Sequence, residues 1–122
     1  MQLVDLNPHD PDVVNVFSDI DRLINSLYPV ATAQSLSVEE LAEPNVYAIG
    51  LKNDDGIVAC GAIVMQEGNP PYGEIRRLYV KPSYRGKGFS RRLMQILLHY
   101  AGVQQLPLIR LETGPKQTES IN

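Results

Sequence analysis

The spacing of apolar and polar residues changes from a strand period to a helix period within the first part of the chain. Residues 2 to 6 alternate polar and apolar, which predicts a short strand. Asp10 and Pro11 are typical of a helix cap and a first helical residue, and Pro29 is typical of a helix end. Between them, apolar residues recur at steps of three and four: Val13, Phe17, Ile20, Ile24 and Leu27. The pattern predicts a strand followed by an amphipathic helix.

The next segment combines a helix signal with a hairpin signal. Ser37 and Glu40 have the spacing of a capping box, which predicts a second, shorter helix over residues 37 to 42. Residues 46 to 52 and 57 to 65 then predict two strands joined by a tight Asp-Asp-Gly turn. The second of these strands is apolar on both faces, so we expect it in the middle of a sheet that is covered on both sides.

The second half of the chain predicts another strand, a helix and a final strand. The run EIRRLYV, residues 74 to 80, ends at Lys81-Pro82, and residues 88 to about 102 have one apolar stripe typical of a helix. Residues 106 to 113 alternate as a strand does, and the segment GPKQTESIN begins like a further helix. The predicted order is therefore β-α-α-β-β-β-α-β, an α/β fold.

Composition and charge narrow the class of protein. A chain of 122 residues with 43% hydrophobic residues predicts one globular domain over residues 1 to 122. The net charge of −3 lacks the basic surface of a nucleic-acid binder, and the sequence has no apolar run of the roughly 18 residues that span a membrane. The single cysteine, Cys60, lies in an apolar strand, which predicts a packing role for its side chain. Because it cannot form an internal disulfide, we expect the protein in a reducing cytoplasm. His9 and His99 lack the neighbours of a metal site.

The stretch YRGKGFS, residues 84 to 90, combines two glycines and two cations directly before a helix. A helix N-terminus presents unpaired backbone N–H groups and the positive end of the helix dipole, which together favour an anion. Gly86 and Gly88 would let a phosphate approach the backbone, and Arg85 and Lys87 add positive charge. The spacing does not fit the Walker loop or the dinucleotide fingerprint. A basic surface turn that only starts a helix is the alternative interpretation.

The longer run LYVKPSYRGKGFSRRLM resembles the central motif of the GNAT family of N-acetyltransferases. In that family an Arg/Gln-x-x-Gly-x-Gly/Ala motif follows a Leu-x-Val strand and opens the main helix. Arg85, Gly88 and Ser90 occupy the three defining positions, and Ser90 departs from the usual Gly or Ala while remaining small. The run EIRRLYV and the downstream RLETGPKQTESI also resemble the family, so that the resemblance spans most of the chain. It implies a mixed, mostly antiparallel central sheet flanked by helices, without the last helix and two strands of the family.

The resemblance implies that acetyl-CoA is the cosubstrate and that main-chain groups bind most of it. Residues 86 to 90 would hold the pyrophosphate, and the edge of the strand at residues 78 to 80 would pair with the pantetheine arm and polarise the thioester. The cofactor-binding residues implied are Leu78, Tyr79, Val80, Arg85, Gly86, Lys87, Gly88, Phe89 and Ser90. The reaction implied is direct transfer of acetyl to a primary amine, with no metal.

An amine must lose a proton before it attacks, so the resemblance also requires a base. Glu74, four residues before Leu78, is the candidate; a strand carboxylate paired with a neighbouring arginine is its alternative interpretation. Strand alternation would place Glu74, Arg76, Leu78 and Val80 on one face unless a bulge intervenes. Glu112 is the second choice as base, and Gln117 corresponds to a position that contacts CoA in relatives.

Relatives continue beyond the point where this sequence stops, with a helix that often supplies a general acid and two more strands. We therefore expect either a truncated chain, a homodimer that covers the exposed sheet edge, or a module that binds CoA without catalysis. The acceptor implied is a small-molecule or peptide amine, with neither nucleic acid nor membrane as a partner.

Overall fold

The computed structural model of this chain describes residues 1–27 and 36–111, without the side chains of residues 24–27. Two short 3₁₀ turns, Glu39–Ala42 and Pro82–Tyr84, lie between the longer elements. Within the described ranges, neither helix combines the length and apolar character that crossing a membrane would require. The strands and helices are β1 (Gln2–Asp5), α1 (Pro11–Leu27), β2 (Val46–Asn53), β3 (Gly56–Gln66), β4 (Tyr72–Val80), α2 (Phe89–Val103) and β5 (Ile109–Leu111).

The five strands form one sheet in chain order, β1-β2-β3-β4-β5. The first four are antiparallel to their neighbours, and β5 pairs in parallel with β4, where Gly73 lies opposite Ile109 and Ile75 lies opposite Leu111. This arrangement confirms the predicted α/β class with a mixed, mostly antiparallel sheet. It also confirms the hairpin, in which Asn53 pairs with Gly56 across the predicted turn.

A helix covers each face of the sheet, and β3 is buried between them. The α1 side of the core contains Val13, Val16 and Phe17, and the α2 side contains Leu93 and Leu97. Nine consecutive residues of β3, from Gly56 to Val64, are buried. The prediction of a central strand covered on both sides is therefore confirmed.

The predicted helix starts differ in how fully they form. The Asp10 carboxylate accepts a hydrogen bond from the Asp12 N–H at 2.9 Å, which caps α1 and lowers the pKa of Asp10. The Ser37–Glu40 capping box also forms, with distances of 3.0 and 3.3 Å. The second helix is nevertheless a single 3₁₀ turn, because Pro44 disfavours helical backbone at Glu43, which is extended.

Several predicted features lie outside the described residues. These are Pro29, Glu112, Gln117, the helix start after residue 113 and the side chains of Ile24 and Leu27. The predicted final strand, residues 106 to 113, is regular over Ile109–Leu111 within the described part of the chain.

Candidate functional site

The loop between β4 and α2, which we call the glycine loop (residues 81–88), leaves the start of α2 open. Gly86 and Gly88 have φ angles of +79° and +82°, a left-handed conformation that glycine adopts without strain. A Cβ atom built on either glycine would meet no atom of residues 1–27 or 36–111 within 4 Å. The two positions therefore require glycine for backbone conformation, and no part of the chain that the structure describes fills the space beside them.

The start of α2 leaves backbone donors without intrahelical partners. The first intrahelical hydrogen bond runs from the Arg92 N–H to the Gly88 carbonyl at 3.0 Å, and no side chain among the described residues caps the helix. The preceding N–H groups consequently have no intrahelical acceptor. Arg85 and Lys87 are exposed beside them. Unpaired donors, a helix dipole and two cations make this end of α2 a suitable site for a phosphate.

Side-chain contacts tie the glycine loop to the sheet. The Tyr84 hydroxyl donates to the Asp55 carboxylate at 2.6 Å and accepts from the Asn53 amide at 2.9 Å, so the β2–β3 turn holds the loop. The Arg85 Nε donates to the Val80 carbonyl at 3.0 Å, and its guanidinium lies 5.9 Å from the centre of the Tyr79 ring. The structure thus brings the predicted loop residues together with the end of β4.

The strand β4 contains a bulge opposite Gly61. Cys60 pairs with Tyr79 and Ala62 pairs with Arg76, so that Gly61 alone lies opposite two residues, Arg77 and Leu78. A Cβ atom on Gly61 would lie 3.1 Å from the Leu78 side chain and 3.2 Å from that of Leu97. Gly61 is therefore small because the bulge and α2 approach the centre of β3 closely.

The bulge corrects the expectation that alternate β4 residues share one face. Leu78 and Val80 pack on the α2 side of the sheet, whereas Tyr79 packs on the α1 side. Glu74 and Arg76 are paired with Val64 and Ala62, whose side chains also lie on the α1 side. Because one extra residue reverses the alternation, the candidate base and the candidate pantetheine strand face opposite sides.

Arg77 was not identified by the sequence reasoning, although it is the buried charged residue within the described part of the chain. It is 7% exposed and has a φ angle of +58° in the bulge. Gly61 within an otherwise apolar central strand is the sequence signal that could have indicated a bulge at this place. Nothing in the sequence indicated which neighbouring residues would contact the guanidinium.

The candidate base, Glu74, forms an ion pair on the same strand. Its carboxylate accepts a hydrogen bond from the Arg76 Nε at 2.9 Å, and a second guanidinium nitrogen also contacts it. The two side chains are about equally shielded, 21% and 19% exposed. Glu74 is thus the paired strand carboxylate of the alternative interpretation, and its role as base stays a prediction.

Cys60 lies under the bulge, and its thiol donates a hydrogen bond to the Arg77 carbonyl at 3.2 Å. Burial raises the pKa of this thiol to about 12, with a small opposing effect of the Arg77 charge. The neutral thiol is the form that can donate, so the raised pKa and the hydrogen bond are consistent. These contacts support the predicted packing role of Cys60.

We expect Cys60 to resist thiol reagents in the native protein. At pH 8 a thiol with a pKa of about 12 is ionised in roughly one molecule in ten thousand, and the buried sulfur is inaccessible as well. Colorimetric titration should find no reactive thiol over several minutes in buffer and one per chain in guanidinium chloride. Stoichiometric labelling of the native protein at the rate of free cysteine would contradict this structure of the bulge.

Comparison with known proteins decides the family. The model of the acetyltransferase (GNAT) family matches residues 16–122. The chain belongs to the GNAT acetyltransferase family. An IAA acetyltransferase of Azospirillum brasilense is 33% identical over 116 residues, which cover 94% of this chain and 74% of that protein. The resemblance inferred from the sequence motif is confirmed.

Solved structures of GNAT proteins share the fold. A Klebsiella pneumoniae protein described as an acyl-CoA N-acyltransferase has a TM-score of 0.73 and 27% identity, over 98% of this chain and 76% of that one. A Clostridium acetobutylicum acetyltransferase, solved with acetyl-CoA, has a TM-score of 0.73 and 16% identity, over 97% and 84%. The chain is an acyl-CoA N-acyltransferase of this family, whose general reaction is acetyl transfer from acetyl-CoA.

Proposed function

We propose that this GNAT acetyltransferase binds acetyl-CoA with the glycine loop and transfers the acetyl group directly to a primary amine of a small molecule or peptide. The observation that carries the cosubstrate assignment is the uncapped start of α2 beneath two exposed left-handed glycines. Such a site suits the pyrophosphate of CoA, and the edge of β4 at residues 78–80 continues from it towards the bulge.

In the proposed reaction, the amine nitrogen forms a bond to the thioester carbon, and the carbon–sulfur bond breaks. Glu74 accepts, through a water molecule, the first proton that the ammonium group loses, so that the neutral amine can attack. The nitrogen loses its second proton as the carbon–sulfur bond breaks, and this proton balances the one that the departing thiolate gains. Backbone N–H groups near the β4 bulge would stabilise the negative charge on the carbonyl oxygen. The ion pair with Arg76 supports this role by fixing the position of the Glu74 carboxylate.

We also propose a cytoplasmic location, which the free, buried thiol of Cys60 supports because reducing compartments preserve such thiols. We further propose a homodimer in which the second copy covers the outer edge of the sheet. Analytical ultracentrifugation measures the oligomeric state directly. The formal charge of −3 favours cationic acceptors over anionic ones.

Thermal unfolding with and without acetyl-CoA tests the cosubstrate assignment. A ligand at about 100 times its dissociation constant stabilises the folded state by about 2.7 kcal/mol. For a domain of this size that corresponds to a rise in Tm of roughly 8 °C or more. Adenosine, which lacks the phosphates, is the control ligand and should leave Tm unchanged. An unchanged Tm at millimolar acetyl-CoA would contradict the proposal.

Release of free CoA in the presence of a panel of amines then separates catalysis from binding alone. The thiol of CoA reacts with a colorimetric reagent, while the buried Cys60 adds no background. Amine-dependent thiol release supports the transferase. A clear thermal shift without thiol release for any amine supports the alternative function, a module that binds CoA without catalysis.

A further inference from the structure

Arg77, in the β4 bulge, combines a buried charge with a backbone conformation that is unusual in a strand. Arg77 is 7% exposed, and its φ of +58° is uncommon for a residue other than glycine, asparagine or aspartate. A strained backbone persists when contacts of the surrounding structure fix it. Burial of a guanidinium is likewise unfavourable unless its charge and donors are paired. The contacts of Arg77 must therefore offset both the backbone strain and the burial of the charge.

The Arg77 side chain contacts three residues on the α1 side of the molecule, two of them in α1 itself. Its Nε donates to the Leu36 carbonyl at 2.7 Å, and another guanidinium nitrogen donates to the Asp21 carboxylate at 2.6 Å. The guanidinium carbon lies 4.6 Å from the centre of the Phe17 ring. One side chain from β4 thus joins α1 to the residue that precedes the Ser37–Glu40 capping box.

The backbone of the same residue is held from β3. The Cys60 thiol donates to the Arg77 carbonyl at 3.2 Å, directly below the bulge. The next residue in the chain, Leu78, begins the segment that we propose to receive the pantetheine arm. Movement of Arg77 would therefore change the direction of the backbone groups of Leu78, Tyr79 and Val80, although the Arg77 side chain itself contacts α1 and Leu36.

We infer that Arg77 is a positioning residue: its paired guanidinium fixes the β4 bulge and thereby aligns the backbone of residues 78–80 for the pantetheine and acetyl parts of acetyl-CoA. This inference rests on the proposed function. The planar fork of arginine suits the role because it bonds a carbonyl and a carboxylate in two fixed directions, which a lysine ammonium does not reproduce. Asp21 is the second member of the arrangement, since it holds the outer end of the fork.

Two ligands separate this role from general stability. In the proposed complex, acetyl-CoA would contact both the glycine loop and the β4 edge, whereas adenosine 3′,5′-bisphosphate lacks the pantetheine arm and would contact the loop side alone. We expect Arg77→Lys to raise the Kd of acetyl-CoA about tenfold and Asp21→Asn about threefold. Both effects are smaller than the loss of a direct hydrogen bond to a charged group, because the two side chains act on the ligand through the backbone of residues 78–80. The Kd of the bisphosphate should change less than about twofold in both variants.

Calorimetric titration of both ligands is the measurement, with Asp19→Asn as the matched control. Asp19 is on the same helix as Asp21 and pairs with the exposed Arg22, so its removal deletes an ion pair that does not involve the bulge. If Arg77→Lys does not fold, Asp21→Asn still tests the inference. The Asp21 side chain is 42% exposed, and the isosteric amide of asparagine leaves the packing unchanged.

Each outcome supports or contradicts the inference. A selective loss of acetyl-CoA affinity in the Asp21 and Arg77 variants, absent in Asp19→Asn, supports it. Equal losses for the two ligands, or no loss for either, overturn it and leave the proposed function intact. If the wild-type protein binds neither ligand, the proposed function itself fails, and the inference fails with it.

Discussion

Replacing Gly88 with valine should weaken the binding of acetyl-CoA by roughly a hundredfold or more. Gly88 has a φ of +82° at the first position before α2, a conformation that costs an ordinary L-residue about 1–2 kcal/mol and a β-branched residue more. If the loop keeps its shape, the new side chain occupies the open space where the phosphates would lie. If the loop changes shape, the N–H groups no longer point at one anion.

The expected weakening is large because the lost bonds involve a charged group. Each hydrogen bond to a charged group contributes about 1.5–3 kcal/mol, so losing two raises Kd by roughly a hundredfold or more. Calorimetric titration with acetyl-CoA measures the change. Gly102→Val is the matched control, since Gly102 is at the other end of α2, has open space around it and lacks a left-handed φ. Equal affinities in the two variants would exclude the glycine loop as the pyrophosphate site.

Replacing Glu74 with glutamine should lower kcat by about 10²–10³-fold while the Kd of acetyl-CoA stays the same, because a positioned general base contributes about 10²–10⁴-fold. The amide retains the size of the carboxylate but cannot accept the proton. The defect should diminish as pH approaches the pKa of the amine, about 10 for an alkyl amine, where the acceptor is already neutral. Thiol release with an amine from the panel, followed as a function of pH, measures both effects.

A second variant separates the base from the ion pair. Arg76→Gln removes the guanidinium that pairs with Glu74 and keeps the carboxylate group itself. We expect it to lower kcat less than tenfold, whereas a purely structural ion pair would make the two variants equally impaired. Glu67→Gln, at an exposed position between β3 and β4, controls for the loss of a carboxylate and should behave as wild type. Equal losses at positions 74 and 76 would refute the assignment of Glu74.

Local patterns were sufficient for most of the fold. The apolar run of β3, the Asp-Gly turn and the Asp10 cap depend on neighbours in sequence. The central strand, the hairpin and the start of α1 could therefore be predicted without the structure. The family motif extended the same reasoning to the strand order and to the cosubstrate. The second helix failed to form as an α-helix because Pro44, only two residues after its end, restricts the backbone at Glu43.

The parts that were missed depend on residues distant in sequence. The β4 bulge follows from the close approach of Gly61 to Leu78 and Leu97, and the contacts of Arg77 join positions 21, 36 and 77. A strict alternation of two cannot indicate where one extra residue enters a strand. The missed bulge matters at the candidate site, because it determines which face of the sheet each β4 side chain occupies.

The hydrogen bonds of Tyr84 have a practical consequence for protein engineering. The turn at Asp54 and Asp55 is a short surface hairpin, the kind of place where a tag or a fused domain is commonly inserted. Because Asp55 and Asn53 both hold the Tyr84 hydroxyl, an insertion there would release the glycine loop although it lies about thirty residues away in sequence. Fusions to this enzyme are therefore better attached elsewhere.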